Sequence, residues 1–164
     1  MKIQELISPL DNRYNLKVED LANNFSESNL NKIRFEIEID WMIFLSSQCG
    51  KNFKPLSSSA KKNLLKIRNS FDAKSSKRIK VIESRTNHDV KAVEYFIREE
   101  IKKFPNLKKY EYLVHFALTS EDVNSLSYAI LLKEAKVVIC FNSTILFEAI
   151  LANREVVIPN FGID

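Results

Sequence analysis

The chain has 164 residues, of which 45% are hydrophobic and 28% are charged, as expected for one globular domain with its own core. Basic and acidic residues are interleaved and the formal net charge is only +4, so the charge does not indicate nucleic-acid binding and suits an anionic small molecule equally well. Gly50 and Gly162 are its only glycines, which excludes the glycine-rich loops of P-loop and dinucleotide-binding proteins and favours a helical chain.

Cysteine usage and hydropathy indicate a cytoplasmic protein. Cys49 and Cys140 are isolated from each other, and the sequence shows no signal-peptide pattern, so we expect reduced thiols. No apolar run has the length of a membrane span. The two histidines and two cysteines lie far apart in sequence and give no metal-ligand spacing, so we expect no bound metal.

The first predicted elements are a polar loop and a long helix. The loop carries Arg13 and Tyr14, whose guanidinium and hydroxyl groups suit a phosphate, although a surface turn is the simpler interpretation. Ser26 is the expected N-cap of the long helix, and Gly50 is its expected C-cap. The predicted buried stripe of this helix consists of Leu30, Ile33, Ile37, Trp41 and Phe44.

A basic helix opening at Ser57 follows, and residues 77–85 lead, as helix or extended chain, into the polar stretch 86–96. There Thr86 is the expected N-cap of a helix that Pro105 ends. The apolar stripe of this helix consists of Val90, Val93, Ile97, Ile101 and Phe104.

A second face of the same helix is polar and carries His88, Lys91 and Tyr95. His88 lies in the first turn, where free backbone N–H groups and the helix dipole favour a nearby anion. An ordinary solvated face with a capping residue is the alternative interpretation.

A second polar stretch follows Pro105. Residues 107–118 predict a short helix bearing His115, and Thr119 or Ser120 then caps a further helix. The inward-facing residues of that further helix are Val123, Leu126, Ile130 and Leu131. Two hydroxyls and free N–H groups at a helix start suit a carboxylate or a phosphate, or they serve as a cap alone.

The last part of the chain changes in character. Residues 137–141 and 156–159 are β-branched runs around a helix-like segment at 143–152, which is the pattern of a βαβ unit with parallel strands. Two strands do not form a stable sheet alone, so this tail docks on the helical body, pairs with another chain or is disordered.

The chain thus contains three polar motifs, which are Ser8–Tyr14, Arg85–Phe96 and His115–Asn124. In this order and spacing they closely resemble the N-terminal region of the adenylosuccinate lyases, which are members of the fumarase/aspartase superfamily. The resemblance covers about residues 3–134 and departs from the family pattern at Asn12, where the family usually has glycine. It implies a mainly α fold, with a lyase-type N-terminal helical domain at 1–134 and an unrelated βαβ-like tail at 135–164.

The resemblance also implies a substrate site. Its residues are Arg13, Tyr14, Asn87, His88, Asp89, Lys91, His115, Thr119 and Ser120. Arg13 and Tyr14 would bind the nucleotide phosphate, and Thr119 and Ser120 would hold a carboxylate of the succinyl group. His88 would hydrogen-bond the substrate near the reacting centre as a supporting catalytic residue.

The implied reaction is a β-elimination in purine nucleotide biosynthesis, in which a base removes a proton beside a carboxylate, fixed donors stabilise the developing aci-carboxylate and fumarate leaves. Its substrates would be adenylosuccinate and the SAICAR-type ribotide, without a metal or an organic cofactor. The family's catalytic histidine lies in a Thr-His-Gly-Gln-Pro-type motif and its catalytic serine in a Ser-Ser-x-Met-Pro-type loop, and neither occurs here. We therefore expect a truncated lyase that is inactive alone.

The expected partners are a purine nucleotide and, as protein partner, either a second copy of the chain or full-length lyase subunits. Neither nucleic acid nor membrane is expected. Two other functions stay open. One is a non-catalytic helical module that associates with a full-length lyase. The other is a fusion with a glycosyltransferase-like tail, since residues 142–149 and 156–159 are weakly similar to a nucleotide-sugar-binding piece of such enzymes.

Overall fold

The computed structural model describes residues 14–48, 53–134, 137–139 and 155–157. Its α-helices are α1 (Glu19–Phe25), α2 (Glu27–Gln48), α3 (Ser58–Arg68), α4 (Ala73–Thr86), α5 (Asp89–Lys102) and α6 (Ser120–Glu134). Short 3-10 helices span Asn15–Val18 and Pro105–Leu113, and the described strands are β1 (Val137–Ile139) and β2 (Glu155–Val157). The mainly α fold predicted from the sequence is confirmed.

The long helix α2 is the centre of the helical body. It contacts α3, α4, α5 and α6, and α4 packs against α5 along a hairpin with a two-residue link. The apolar core between these helices includes Phe35, Ile39, Leu64, Ile79, Ile97 and Leu113. Burial of such side chains stabilises the fold by about 1.5–3 kcal/mol each, so the core holds α3, α4 and α5 in fixed positions around α2.

The buried face of α2 differs from the predicted stripe. Phe35, Ile39 and Met42 are at most 1% exposed, whereas Phe44, at the end of the predicted stripe, is 48% exposed. The ring of Phe35 packs against that of Phe96 on α5, with 5.5 Å between the ring centres. The prediction is right at Ile33, which is 8% exposed, and wrong at Phe44. Since α2 is covered on two sides, by the α4–α5 hairpin and by α6, apolar spacing alone does not identify the more buried face.

The predicted helix starts are partly confirmed. Ser26 Oγ accepts a hydrogen bond from the Asn29 N–H at 3.2 Å, as expected for the N-cap of α2. The prediction that Thr86 caps α5 is wrong, because Thr86 is the last residue of α4 and His88 is the N-cap of α5. Asn87 between them has a φ of 51°, a left-handed conformation that asparagine adopts more readily than most residues.

The short helix predicted at residues 107–118 is present, but as a 3-10 helix that ends before His115. A 3-10 helix occupies Pro105–Leu113, and His115 follows it in an irregular turn with a φ of 59°. The hydroxyl of Tyr110 donates a hydrogen bond to the Pro55 carbonyl at 2.9 Å, which ties the segment to the chain just before α3. Contacts with distant residues therefore determine the conformation of this segment.

The two strands match the parallel arrangement predicted for the tail. Val137 is opposite Glu155 and Ile139 is opposite Val157. The helix-like segment predicted at 143–152 lies outside the described residues, as do Cys49, Gly50 and Cys140. In the part of the chain that the structure describes, no helix combines the length and hydrophobicity needed to cross a bilayer.

Candidate substrate-binding site

Asn87 and His88 form the whole link between α4 and α5, and both are exposed. The Asn87 N–H donates to the Glu83 carbonyl at 2.8 Å, which closes the end of α4, and the left-handed backbone of Asn87 then reverses the chain. An amide and an imidazole therefore lie at a sharp bend beside the positively polarised N-terminus of α5.

The ring of His88 has a defined orientation. Its Nδ1 accepts a hydrogen bond from the Lys91 N–H at 3.2 Å, and its side chain is 51% exposed. A neutral imidazole whose Nδ1 accepts a hydrogen bond carries its proton on Nε2. The Nε2–H group is therefore the one that can donate a hydrogen bond to a ligand, while the cap holds the ring in place.

A buried arginine joins the middle polar motif to the third one. Arg34 on α2 has only 5% of its side chain exposed, and its Nη2 lies 2.8 Å from Asp89 Oδ2. Its Nε donates to Asn124 Oδ1 at 3.0 Å, and its Nη1 donates to Asn31 Oδ1 at 3.2 Å. Because Asp89 belongs to the middle motif and Asn124 to the third, one guanidinium holds the two motifs together.

Asp89 is held in its ionised form. Partial burial acts to raise the pKa of Asp89, but the hydrogen bond from the Val90 N–H at 2.8 Å and the charge of Arg34 outweigh it. The pKa of Asp89 consequently lies below its usual value. Since both of its carboxylate oxygens are already engaged, Asp89 serves mainly to position the start of α5.

Lys91 is part of a charged network on α5. Its Nζ lies 2.7 Å from Glu94 Oε2 and 5.5 Å from the centre of the Tyr95 ring. Glu94 is buried and also accepts a hydrogen bond from Arg98 Nη2 at 3.1 Å. Burial acts to raise the pKa of Glu94, but the hydrogen bonds from Lys91 and Arg98 outweigh it and the pKa is lowered. Lys91 thus pairs with the buried Glu94, while its own side chain is partly exposed to solvent.

His115 lies against a carboxylate in the interior of the fold. Its Nδ1 is 2.5 Å from Glu38 Oε1, and its backbone N–H donates to Glu38 Oε2 at 3.0 Å. Glu38 on α2 is fully buried, and the His115 side chain is 19% exposed. Because both carboxylate oxygens contact the same residue, Glu38 fixes the imidazole and the left-handed backbone of His115 together.

The Glu38 carboxyl is perturbed by its surroundings. Burial raises the pKa of Glu38, and the nearby charge of Glu94 adds to the rise. The hydrogen bonds and charge of His115 oppose burial without reversing its effect. Because Glu38 contacts His115, a predicted site residue, the pair adjoins the candidate site, and its burial also suits a structural role in holding the turn before Thr119.

Thr119 is the N-cap of α6, in reciprocal contact with Asp122. Its N–H and hydroxyl donate to Asp122 Oδ2 at 2.6 and 2.7 Å, and its Oγ1 accepts from the Asp122 N–H at 3.3 Å. These hydrogen bonds lower the pKa of Asp122. The hydroxyl of Ser120, a half-buried residue, makes no hydrogen bond with a described residue. A ligand carboxylate binding here has to displace Asp122 from Thr119 or use Ser120.

Of the predicted phosphate-binding pair, Arg13 lies outside the described residues. Tyr14 is 36% exposed, and the Nζ of Lys17 lies 5.7 Å from the centre of its ring. The structure therefore adds a cation beside Tyr14, and the phosphate-binding role of Arg13 and Tyr14 stays a prediction.

A comparison with known proteins bears on these motifs. The model of a family described as "Lyase" matches residues 12–155. This chain belongs to the lyase family. The matched region includes the α4–α5 link and the start of α6, so both described polar motifs lie within the family's sequence pattern. The match runs past residue 134, where a boundary between a lyase-type domain and an unrelated tail was predicted. It does not mark a boundary there, so that boundary stays a prediction.

Individual relatives of this lyase-family chain are curated adenylosuccinate lyases. The chain is 43% identical to that of Escherichia coli strain K12 and 44% identical to that of Haemophilus influenzae, each over 131 residues. It is 39% identical over 130 residues to that of Legionella pneumophila strain Corby. The predicted resemblance to adenylosuccinate lyases is thereby confirmed. The alignments cover 79% of this chain but only 28–29% of each relative, so the chain spans less than a third of their length.

Apart from Arg13 and Tyr14, the predicted site residues of the lyase-family chain fall into two groups. The groups are Asn87, His88, Asp89 and Lys91 at the α4–α5 link, and His115, Thr119 and Ser120 before and at the start of α6. Sequence reasoning missed Arg34 and Glu38, which hold the two groups against α2. The sequence carries no clear signal for them, because α2 contains six charged residues and only the packing shows that Arg34 and Glu38 are the buried ones. Among the described residues, no cluster of His, Cys, Asp and Glu is arranged to hold a metal ion.

Proposed function

We propose that this chain supplies part of the substrate-binding site of an adenylosuccinate lyase, in the cytoplasm and in purine nucleotide biosynthesis. The ligand is adenylosuccinate or the SAICAR-type ribotide, with Arg13 and Tyr14 on its phosphate. The observation that supports this most is the buried Arg34, which ties Asp89 of the middle motif to Asn124 of the third. The family resemblance assigns substrate contacts to both of these motifs.

The side chains at the α4–α5 link have the chemistry that this ligand requires. The Nε2–H of His88 can donate to an oxygen near the reacting centre, and the amide of Asn87 offers both a donor and an acceptor. At the start of α6, Ser120 and Thr119 can receive a succinyl carboxylate, aided by the dipole of a helix N-terminus. The buried Glu38–His115 pair keeps the segment before Thr119 in position.

We propose further that the 164-residue chain binds this ligand without converting it. The histidine and serine motifs that the family resemblance assigns to the acid and base do not occur in the sequence. Elimination of fumarate then requires these two groups from polypeptide outside the 164 residues. The division into a lyase-type domain at 1–134 and a separate tail at 135–164 is part of the same proposal.

Two conservative substitutions test the ligand contacts while preserving the fold. Asn87→Gly removes the amide and keeps the left-handed backbone, since glycine adopts a positive φ without cost. His88→Asn removes the imidazole and keeps a good N-cap residue for α5. Each is expected to weaken adenylosuccinate binding about tenfold, as the loss of one hydrogen bond to a charged ligand does. Calorimetric titration measures the binding, and fumarate release is followed by absorbance.

Asn69→Ala is the matched control for these variants, because Asn69 ends α3 with an ordinary backbone conformation and is not among the predicted site residues. Its adenylosuccinate affinity should equal that of the unchanged chain. If Asn87→Gly and His88→Asn bind as tightly as the control, the assignment of these residues is wrong. Fumarate release by the unchanged chain alone would contradict the proposal of binding without turnover.

A second candidate function is a helical module that associates with a full-length lyase subunit. A largely apolar groove of about 450 Å³ between α2 and α6 favours it. Phe44 and Leu126 line this groove and are 48% and 49% exposed, respectively, so the prediction that Leu126 faces inward is wrong. We expect Leu126→Glu to abolish co-purification with a lyase subunit if this candidate is correct, and Glu121→Gln, on the same helix outside the groove, to retain it. An unchanged yield of the complex with Leu126→Glu would eliminate this candidate.

A further inference from the structure

A positively charged groove of about 400 Å³ lies between α4 and α5, outside the predicted substrate residues. Its charged lining residues are Arg78, Arg85, Arg98, Lys102 and Glu99. Tyr95, which is 43% exposed, forms an aromatic part of its wall. A concave volume of this size is within the range of small-molecule sites.

Two of the four cations that line the groove, Arg78 and Arg98, form ion pairs with acidic residues. Arg78 donates two hydrogen bonds to the Glu99 carboxylate, at 2.9 and 2.5 Å. Arg98 donates to Glu94 Oε1 at 3.1 Å and to the carbonyl oxygen of Glu111 at 3.1 Å. Glu99 and Glu94 therefore hold these two guanidinium groups in place, and neither is available to pair fully with a ligand.

The other two cations, Arg85 and Lys102, are exposed and form no salt bridge with a described residue. They give the groove a net positive charge in its unliganded form. Exposed lysines and arginines are common on helices, but here both line the same concavity together with an aromatic ring. The combination of an excess of positive charge, a concave shape and an aromatic wall points to a ligand.

Arg85 and Lys102 lie toward opposite ends of the groove. Arg85 is in the last turn of α4, and Arg78, two turns earlier, pairs with Glu99 of α5. Because α4 and α5 reverse direction at a two-residue link, Lys102, one turn beyond Glu99, lies at the far end from Arg85. Arg85 is seven residues from Arg78 and Lys102 is three residues beyond Glu99, so the two cations are about ten residues apart along the helices, or roughly 15 Å. Their long side chains shorten the distance that a ligand has to span.

We propose that this groove binds an elongated small molecule with an anionic group at each end, at least one of them a phosphate. Arg85 pairs with the phosphate, because the planar guanidinium forms two parallel hydrogen bonds with phosphate oxygens. Lys102 pairs with the second anionic group, and Tyr95 packs against the part between them. The groove is too short, and holds too few available cations, for a nucleic-acid track. This site does not depend on the proposed lyase function, since neither Asn87 nor His88 lines it.

Calorimetric titration of the 164-residue chain with 1,6-hexanediol bisphosphate at low ionic strength tests the proposal, with hexyl monophosphate as the reference. The bisphosphate should bind about tenfold more tightly than the monophosphate, because only it reaches both cations. Arg85→Gln and Lys102→Gln should each weaken bisphosphate binding about tenfold, and Arg85→Gln should also weaken monophosphate binding. Raising the salt concentration should weaken all of these interactions, since the pairs are exposed.

Lys77→Gln is the matched control, because Lys77 is an exposed cation of α4 that does not line the groove. Its bisphosphate affinity should be unchanged, as should that of His88→Asn. The proposal is overturned if the unchanged chain does not bind the bisphosphate, or if Lys77→Gln weakens binding as much as Arg85→Gln does. It is also overturned if His88→Asn weakens binding and Arg85→Gln does not, which would place the anion at the predicted substrate residues. Circular dichroism of each variant confirms that the exposed substitutions leave the helices intact.

Discussion

Arg34→Met is expected to lower the free energy of unfolding by about 3 kcal/mol and to weaken adenylosuccinate binding. The buried guanidinium contacts Asp89, Asn124 and the buried Asn31, and the substitution removes all three contacts at once. Methionine is long, flexible and apolar, so it fills much of the vacated space and the loss comes mainly from the missing hydrogen bonds. Urea denaturation measures the stability, and calorimetric titration measures the binding.

Arg68→Met is the matched control for this substitution. Arg68 pairs with Asp40 at 2.8 Å and with Glu36 at 3.4 Å, but its side chain is 29% exposed and those of Asp40 and Glu36 are 52% and 23% exposed. Because solvent screens such a pair, its loss should cost less than about 1 kcal/mol. A double-mutant cycle between Arg34→Met and Asn124→Ala should give a coupling energy of about 1–2 kcal/mol. Equal stability losses in Arg34→Met and Arg68→Met would show that Arg34 does not have the role assigned to it.

Glu38→Ala is the second substitution with a large expected effect, again about 3 kcal/mol of unfolding free energy. It leaves a cavity in the interior and removes the acceptor for both the ring and the backbone N–H of His115. Since His115 has a positive φ, the turn before Thr119 should lose its fixed conformation. Urea denaturation measures the stability, and hydrogen exchange of the His115 and Phe116 amides measures the order of the turn. Exchange as slow as in the unchanged chain would contradict the role of Glu38.

The pH dependence of stability should also report on Glu38, whose pKa is raised from its ordinary value of 4.5 in the folded protein. The folded protein binds this proton more tightly than the unfolded chain does. The stabilising contribution is therefore complete below pH 4.5 and decreases as the pH rises through the raised pKa. Glu38→Gln has no titrating group at this position. The free energy of unfolding of the unchanged chain minus that of this variant should therefore fall as the pH rises from 4.5 through the raised pKa. A difference that is constant or rises with pH would show that the pKa is not raised.

The helical parts of the fold follow largely from local sequence patterns. The predicted stripe of α5 is confirmed at Val90, Val93, Ile97 and Ile101, each at most 1% exposed. These residues recur at three- and four-residue steps on one helix, so their spacing carries the information. The N-cap at Ser26 follows from the same kind of local rule, since its hydroxyl contacts a backbone N–H three residues later.

The candidate site follows from the sequence only in part. The three motifs and the family could be read from the order of polar residues, and the match to the lyase family confirms that interpretation. The N-cap of α5 could not be predicted from the sequence, because both Thr86 and His88 can fill that role. The left-handed turn at Asn87 places His88 there. The 3-10 type of the predicted helix and its end before His115 could not be predicted for a related reason, since contacts with distant residues determine the conformation of this segment.

Residue types and spacings of three or four residues are enough to predict the mainly α class, the family and the polar motifs. Which charged residues are buried, and which residues they contact, depends on the three-dimensional packing of the helices. Arg34 pairs with Asp89, and Glu38 with His115, across long separations in the chain. Burying a charge is unfavourable unless a partner is present, and only the packing of α2 against α5, α6 and the turn before α6 brings each partner within reach.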